Sequence, residues 1–431
     1  MNDKHVDIIT MGCSKNLVDS EILLHHFKEN NYTIHHNPEK TSGDIAIVNT
    51  CGFIGDAKEE SINMILQLAQ LKQDGALQKL YVMGCLSQRY NDELIDEIPE
   101  IDNIYGKFDW RGVIQDINKE NTIGKDNRVI TTPQHYAYIK ISEGCNRACA
   151  YCAIPIITGK HQSRPIDEIV EEVKLLVKQG VKEFQIIAQD LSYYGIDLYK
   201  ENRLAQLIEA IADIPGVEWI RLHYAYPTKF PYDVLRVMRE RDNVCKYLDI
   251  ALQHVSTNML KAMKRGITKE KTIELIERIR QEVPGIFLRT TMMVGYPNET
   301  VEDFQELCDF IKQYPFQRLG VFPYSEEEGT YAAEHFEDNI SNEEKDRRTA
   351  HLMMIQENIA TETAENLVGK TLKVIIDRYE DDYYVGRTEY DSPEVDPEVI
   401  VYSEETLNIG DFYNINITES EGFDIVGIIA K

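Results

Sequence analysis

Three cysteines, Cys145, Cys149 and Cys152, stand in the stretch SEGCNRACAYCAIP (residues 142–155) with the spacing C-x3-C-x2-C. Thiolates are soft ligands that suit iron–sulfur clusters. A four-iron cube and a structural zinc each take four protein ligands as a rule, so a set of three leaves one position open. On a cube, the iron without a protein ligand can bind a substrate or cofactor, just as catalytic zinc sites keep a position open. A zinc ion would need a fourth ligand nearby, for which His161 is the candidate. The spacing, with Tyr151 before the last cysteine, is unusual for zinc.

A second set is spread over the first 125 residues. The apolar runs VDIITMGC, DIAIVNTC and KLYVMGC end at Cys13, Cys51 and Cys85, and the helical patterns SEILLHHFKEN and AKEESINMILQLAQL lie between them. Strands alternating with helices make a parallel sheet, whose carboxyl strand ends share one edge where ligands bind. The three cysteines are therefore expected to converge on one rim. Burial in the core explains one such cysteine well, but explains three at one topological position poorly. Cys245 and Cys308 lack cluster spacing and read as core thiols. The pairs His25–His26 and His35–His36 read as solvated helix or strand positions rather than metal ligands.

The elements that must position the first loop follow from the same alternation on a larger scale. YAYIKIS, EFQIIAQD, WIRLHYAY, YLDIALQH, FLRTTMMVG and RLGVFPYS are candidate strands separated by helical segments. Six such units predict an incomplete parallel (β/α)6 barrel with its site at the strands' carboxyl ends. Gln189, Asp190, His223, Gln253 and His254 fall at those ends, and Arg289 is a similar candidate. Gly295 in VGYPNET either lets the backbone approach a ligand or forms a tight turn. After residue 366 the helical patterns stop. Five short alternating runs between 367 and 431 predict a small antiparallel barrel of the OB-like kind.

Length and charge set outer limits. A chain of 431 residues exceeds what one core normally serves. No apolar run approaches the ~18 residues of a membrane span. The start, MNDKHVDIIT, has no basic segment followed by an apolar one, so a cytoplasmic location is expected. There the eight cysteines are not expected to form disulfides. The net charge of −27 weighs against a nucleic-acid substrate and suits a basic protein partner. Residues 367–431 hold 15 Asp and Glu against 5 Lys and Arg, the densest negative charge in the chain. The run EYDSPEVDPE, with Glu394, Asp396 and Glu398, is the expected partner contact.

The C-x3-C-x2-C loop with Tyr151 on the first turn of a β/α barrel resembles the radical S-adenosylmethionine superfamily. In that family the open iron is chelated by S-adenosylmethionine, which one electron cleaves to methionine and a 5′-deoxyadenosyl radical. The whole chain resembles, more narrowly, the methylthiotransferases. MGCSKNLVDSE, NTCGFI and VMGCLSQRY match the three N-terminal cysteine motifs, and QDLSYYG, ALQHVS, VGYPNET and PYSEEEGT match barrel segments. The resemblance implies an N-terminal domain (1–125) with an auxiliary 4Fe-4S cluster on Cys13, Cys51 and Cys85, a radical core (126–366) with a 4Fe-4S cluster on Cys145, Cys149 and Cys152, and a TRAM domain (367–431). It implies two uses of S-adenosylmethionine, one as methyl donor and one as radical source. Tyr151, Gln189, Gln253, Arg289 and Gly295 would lie in the cofactor's neighbourhood. An electron donor is implied as well.

Two branches of the family differ in substrate. The MiaB-like branch modifies an adenosine in tRNA, and the RimO-like branch adds a methylthio group to the β-carbon of an aspartate in small-subunit ribosomal protein S-twelve. GRTEYDSPEVDPEVIV resembles the RimO-like branch, and an acidic terminal barrel suits a basic ribosomal protein, or the small subunit that carries it, better than a tRNA backbone. An iron–sulfur electron-transfer protein is the reading from another class, but bacterial ferredoxins use a C-x2-C-x2-C run with a fourth cysteine and need no barrel.

Overall fold

The computed structural model describes residues 5–41, 43–107, 109–124 and 127–430. The first sheet has five parallel strands, β1 (His5–Thr10), β2 (Thr33–His36), β3 (Ile45–Thr50), β4 (Lys79–Gly84) and β5 (Asn103–Ile104), in the order β2–β1–β3–β4–β5. Every residue of β3 is buried. A parallel strand covered on both faces must be apolar throughout, hence the unbroken IAIV run in place of an alternation. Helices α1 (Ser14–Glu29), α2 (Gly55–Gln73), α3 (Cys85–Arg89) and α4 (Asn91–Glu97) follow the strands. β2 and β5 add to the three expected strands; with 4 and 2 residues they carry no readable period.

The second sheet begins with β6 (Tyr136–Lys140). A ribbon of β7 (Ser142–Glu143) with β8 (Gln162–Ser163) then closes the base of the Cys145–Cys152 loop. β9 (Glu183–Ile187), β10 (Trp219–Ala225), β11 (Val244–Ile250), β12 (Phe287–Val294) and β13 (Arg318–Pro323) continue the sheet, each parallel to the one before. The sheet stays open between β6 and β13, as an incomplete barrel requires. β11 ends at Ile250, short of the expected ALQH, because Gln253 turns out of the strand with φ +73°.

The terminal barrel is closed: β14 (Thr371–Glu380), β15 (Tyr383–Thr388), β16 (Val399–Tyr402), β18 (Asp424–Ile429) and β17 (Phe412–Glu421), in that spatial order. Its pairing corrects the all-antiparallel expectation, since β16 runs parallel to β18. Short alternating strands show which face is buried but not which neighbour each one finds.

This terminal barrel seats on the amino-terminal end of the larger one. Arg387 donates to Glu183, the first residue of β9, with Nη2 2.8 Å from Oε2, and Arg221 Nη2 lies 3.1 Å from Oε1 of the same carboxylate. Asp391 accepts from Arg318 at the start of β13, and Glu394 accepts from the Tyr136 and Tyr138 hydroxyls of β6. Asp396 pairs with Arg289, and Glu398 takes both ends of the Arg378 guanidinium. The run EYDSPEVDPE is therefore not the free docking loop expected from its charge. It supplies the counter-charge that the arginines of the barrel floor need, and the side chain of Asp396 is only 1% exposed. Asp381, Asp382, Glu404, Glu405, Glu419 and Glu421 are exposed acids outside this run.

Candidate active site at the mouth of the barrel

All three cysteines of the first domain lie in turns beyond the carboxyl ends of its strands. Cys13 caps α1, Cys51 follows β3, and Cys85 opens α3 directly after β4. Glycines let these turns meet. Gly12 has φ +83°, and a Cβ there would sit 2.7 Å from the Cys51 sulfur; Gly84 has φ +110°, and its Cβ would sit 2.5 Å from the Thr50 carbonyl oxygen. A side chain at either position would be strained and would force the loops apart. Asn16 stitches them from within, its amide donating to the carbonyls of Met11 (3.0 Å) and Thr50 (2.9 Å), while the Cys85 thiol points at its Oδ1.

The thiols feel one another. Burial pushes Cys85 up to about 12, Lys107 works against this, and Cys13 and Cys51 add to the rise. Burial also raises Cys51, again with a contribution from Cys13. Cys13 moves the other way: burial opposes its ionisation, but the charges of Lys15 and Lys107 outweigh that and hold it low. It has exposed surface and yet is crowded by protein, so it lines the cleft.

The second set sits on the loop after β6. Cys145 N–H donates to the Gly159 carbonyl at 3.1 Å. Arg265 Nη1 lies 3.1 Å from both the Cys149 sulfur and the Tyr151 hydroxyl, and the Tyr226 hydroxyl is 3.5 Å from that sulfur. Arg147 ties the loop to the end of β9 through Asp190 at 2.7 Å. Burial raises Cys145 to about 11 and Cys152 to about 12, with Cys149 adding to both. Ala150, Met259, Met263, Tyr296, Tyr324 and Ala332 form an apolar cluster behind the loop.

The two sets face each other. Cys85 packs with Ala153 and Ile157, one and five residues beyond Cys152. Val18 of α1 packs on Tyr136, Tyr138 and Ile187, so α1 lies along the open side of the barrel at β6. Buried charges cross the same seam: Lys140 pairs with Asp19 and, at 2.5 Å, with Glu143, and Lys107 lies 3.5 Å from Glu143. At the opposite edge Glu327 accepts from Lys58 (2.8 Å) and Arg89 (3.1 Å). The first domain thus bridges both edges of the open barrel and covers its mouth.

Both triples fit an iron–sulfur cluster. Each offers three soft thiols whose charges influence one another, on loops set at one rim, and the first triple lies in a cradle that a Cβ at Gly12 would fill. Among the described residues no three His, Cys, Asp or Glu side chains are close enough to hold a single ion. His161, the proposed fourth zinc ligand, bonds Ser163 at 3.1 Å instead.

The remaining candidates separate. Gln189 reaches the mouth, donates to Glu143 at 2.8 Å and leaves its buried Oε1 without a partner among the described residues. Gln253 stands at the mouth, bridged to Met292. Tyr151 lies within the cysteine loop. Arg289 faces down the lumen to Asp396. The close approach at Gly295 is by Lys345, whose Cγ would lie 2.3 Å from a Cβ, so a packed turn accounts for that glycine. His223 is buried in the lumen against Gln185 (2.8 Å), and desolvation holds it neutral. His254 is locked between Glu299 and the N–H groups of Val255 and Ser256. Cys245 and Cys308 are core residues. His26 is buried, stacked on Trp110, rather than solvated; His35 bonds Asp7 and His36 bonds Thr10. Sequence reasoning missed Lys15, Lys107, Glu143 and Arg265. The first three are charges flanking cysteine loops or apolar runs, a legible signal; Arg265 lies more than a hundred residues from the sulfur it touches.

No helix among the described residues is long and apolar enough to cross a membrane. Residues 5–106 match the uncharacterized protein family UPF0004, residues 139–311 the Radical SAM superfamily, and residues 368–429 the TRAM domain. The chain is 60% identical over 431 residues, all of both chains, to the ribosomal protein uS12 methylthiotransferase RimO of Phocaeicola vulgatus. It is 48% identical over 430 residues to the RimO of Cytophaga hutchinsonii, covering 99% of this chain and 98% of that one. Among solved structures it is similar in fold to the radical S-adenosylmethionine methyltransferase TsrM from Kitasatospora setae, with a TM-score of 0.55 at 13% identity, covering 77% of this chain and 74% of that one. The cobalamin-dependent radical enzyme OxsB gives a TM-score of 0.53 at 13% identity, over 83% of this chain and 56% of that one.

Proposed function

The chain belongs to the RimO family of radical S-adenosylmethionine methylthiotransferases, and from that membership we propose that it adds a methylthio group to the β-carbon of an aspartate in ribosomal protein uS12. The observation that carries the reading is the contact of Cys85 with Ala153, which sets one cysteine triple against the other across a single cleft. We assign Cys145, Cys149 and Cys152 to one 4Fe-4S cluster and Cys13, Cys51 and Cys85 to a second. When bound, the first would supply the electron for cleavage of S-adenosylmethionine and the second the place where the transferred sulfur is carried.

The protein's own groups position and shield this chemistry. Arg265 fixes the loop by holding Cys149 and Tyr151 together, and its charge offsets that of an ionised sulfur. The apolar cluster behind the loop and the first domain above it enclose the mouth, so that a reactive carbon centre meets the bound substrate rather than a stray hydrogen donor. Gln189, with its unpartnered Oε1, is the group we place on S-adenosylmethionine. Tyr151 and Gln253 line the same mouth.

Mass spectrometry of ribosomal proteins and bulk tRNA from cells with and without the gene tests the reading. A methylthio group on uS12 that disappears with the gene supports it. Loss of a methylthio group from tRNA instead would move the chain to the MiaB-like activity.

The outward acids of the terminal barrel serve, in this reading, as the docking surface for the basic substrate protein. Charge reversal of Asp381, Asp382, Glu404 and Glu405 is expected to slow association with uS12 several-fold, mostly in the on-rate, and to flatten its salt dependence. Stopped-flow binding at two salt concentrations checks this. Unchanged association would place docking elsewhere.

A further inference from the structure

We infer that Lys15 is the positioning residue for the target carboxylate, an inference that rests on the aspartate reading above. Lys15 is the second residue of α1, two beyond Cys13, and its side chain reaches from the first domain to Tyr224 at the mouth of the barrel. It is 8% exposed. Its ammonium lies 3.8 Å from the centre of the Tyr224 ring, and among the described residues it has no ion pair and no hydrogen bond to a carboxylate or carbonyl. An ammonium kept from water without a counter-charge is costly, and an aromatic face offsets only part of that cost.

Every other buried cation around the site is matched among the described residues. Lys140 pairs with Asp19 and Glu143, and Lys107 with Glu143. Arg147 pairs with Asp190, Arg221 with Glu183, and Arg289 with Asp396. Arg265 is held by Cys149, Tyr151 and the Ala251 carbonyl. Asp249, the lumen acid whose titration Lys15 influences, accepts instead from the Tyr224 N–H at 3.3 Å. His223, which also feels Lys15, is bonded to Gln185. Beyond the Cys13 thiol, whose ionisation it favours, Lys15 has no anionic partner among the described residues, and it faces the cleft where a carboxylate would complete it.

Tyr224, the platform beneath it, has φ +65° and is 37% exposed at the carboxyl end of β10. A bulky residue in the left-handed region is strained, and such strain collects at ligand sites. In an aspartate side chain the β-carbon is bonded directly to the carboxylate carbon. A cation that holds the carboxylate therefore fixes the reacting carbon one bond away. Because Lys15 follows Cys13 by two residues, the same anchor places that carbon beside the rim where the sulfur is carried. An adenine base offers no carboxylate, so the lysine also selects the substrate class.

The test pairs Lys15→Met and Lys15→Arg with uS12 carrying either the target Asp or Asn in its place. The wild type is expected to prefer Asp over Asn by a factor of about 10 to 100 in kcat/KM, the range for leaving one buried polar group unsatisfied. Lys15→Met should raise KM for the Asp protein at least about tenfold and shrink that preference towards unity, while Lys15→Arg keeps most of it. Because Lys15 also helps to hold the Cys13 thiol low, rates are compared per iron-loaded chain, and the Asp-to-Asn preference, a ratio within one enzyme, is unaffected by loading. A Lys15→Met enzyme that prefers Asp as strongly as the wild type would overturn the assignment. The wild type alone provides a second check: equal binding of Asp and Asn proteins overturns it without any enzyme variant. A wild type that modifies no uS12 at all would instead bring down the reading beneath it.

Discussion

Replacing Cys145, Cys149 and Cys152 together by Ala is expected to halve the iron of the anaerobically reconstituted chain, from about eight to about four atoms, and to abolish cleavage of S-adenosylmethionine. Cys145 and Cys152 of this loop are desolvated, and their proton affinities are raised by burial and by the neighbouring thiols. Such a site holds three thiolates only when a cationic cluster compensates them. The complementary triple, Cys13, Cys51 and Cys85 to Ala, should also halve the iron but leave cleavage to 5′-deoxyadenosine measurable, with no methylthio product. The two arms differ because Arg265, Tyr226 and Asp190, which hold the first loop, all belong to the barrel. Iron analysis and chromatography of the nucleoside products read both. Full iron in the second triple variant would remove the auxiliary cluster from the account.

A second large effect is expected far from the chemistry. Glu183 is fully buried and carries both Arg221 and Arg387, and Arg387 also holds Asp377, which in turn bonds His135 at 2.6 Å. Glu183→Gln keeps the shape and removes the charge, stranding the Arg221 guanidinium in a dry floor and leaving Arg387 with Asp377 alone. Breaking a buried pair from one side costs about 3–5 kcal/mol, so denaturant unfolding should show a loss of that order. Glu218→Gln is the control. Its partner Lys373 is nearly half exposed, and the change should stay within about 0.5 kcal/mol.

The same network sets an acid limit. Burial alone would raise Asp377, but Arg387 and the bonds from His135 and Arg387 hold it at about 2, and Glu183 is lowered by Arg387 and Arg221 against its burial. Groups with depressed folded-state values stabilise the protein above their ordinary carboxylate range. That stability is lost as the pH falls from about 4 towards 2. An acid transition that does not move in Glu183→Gln would show that the floor is not its origin.

Much of this arrangement is written in local patterns. The three strand ends carrying Cys13, Cys51 and Cys85 are visible because buried parallel strands are apolar throughout and their turns need glycine, as at Gly12 and Gly84. The open barrel follows from six strand–helix alternations of regular length. What does not show is how separate units meet. The acidic run around Asp396 reads as a solvated loop because nothing local reveals Arg289 and Arg318, more than 70 residues away. Arg289 reads as a cofactor candidate from its place on a strand, yet its partner arrives from the terminal barrel. The parallel pairing of β16 with β18 is a choice between neighbours, and alternation is blind to it. Lys15 sits in plain view beside Cys13, but its isolation from every carboxylate exists only in three dimensions.

The central claim is that the chain removes a hydrogen from the β-carbon of a uS12 aspartate and replaces it with a methylthio group. The direct test supplies the reconstituted enzyme, S-adenosylmethionine and a reductant with uS12 whose aspartates carry deuterium at the β-carbon, and with tRNA in a parallel reaction. The account predicts deuterium in the 5′-deoxyadenosine and one methylthio group on a uS12 aspartate, with the tRNA unchanged. Deuterium-free 5′-deoxyadenosine with unmodified uS12, or a methylthio group appearing on the tRNA, would contradict it.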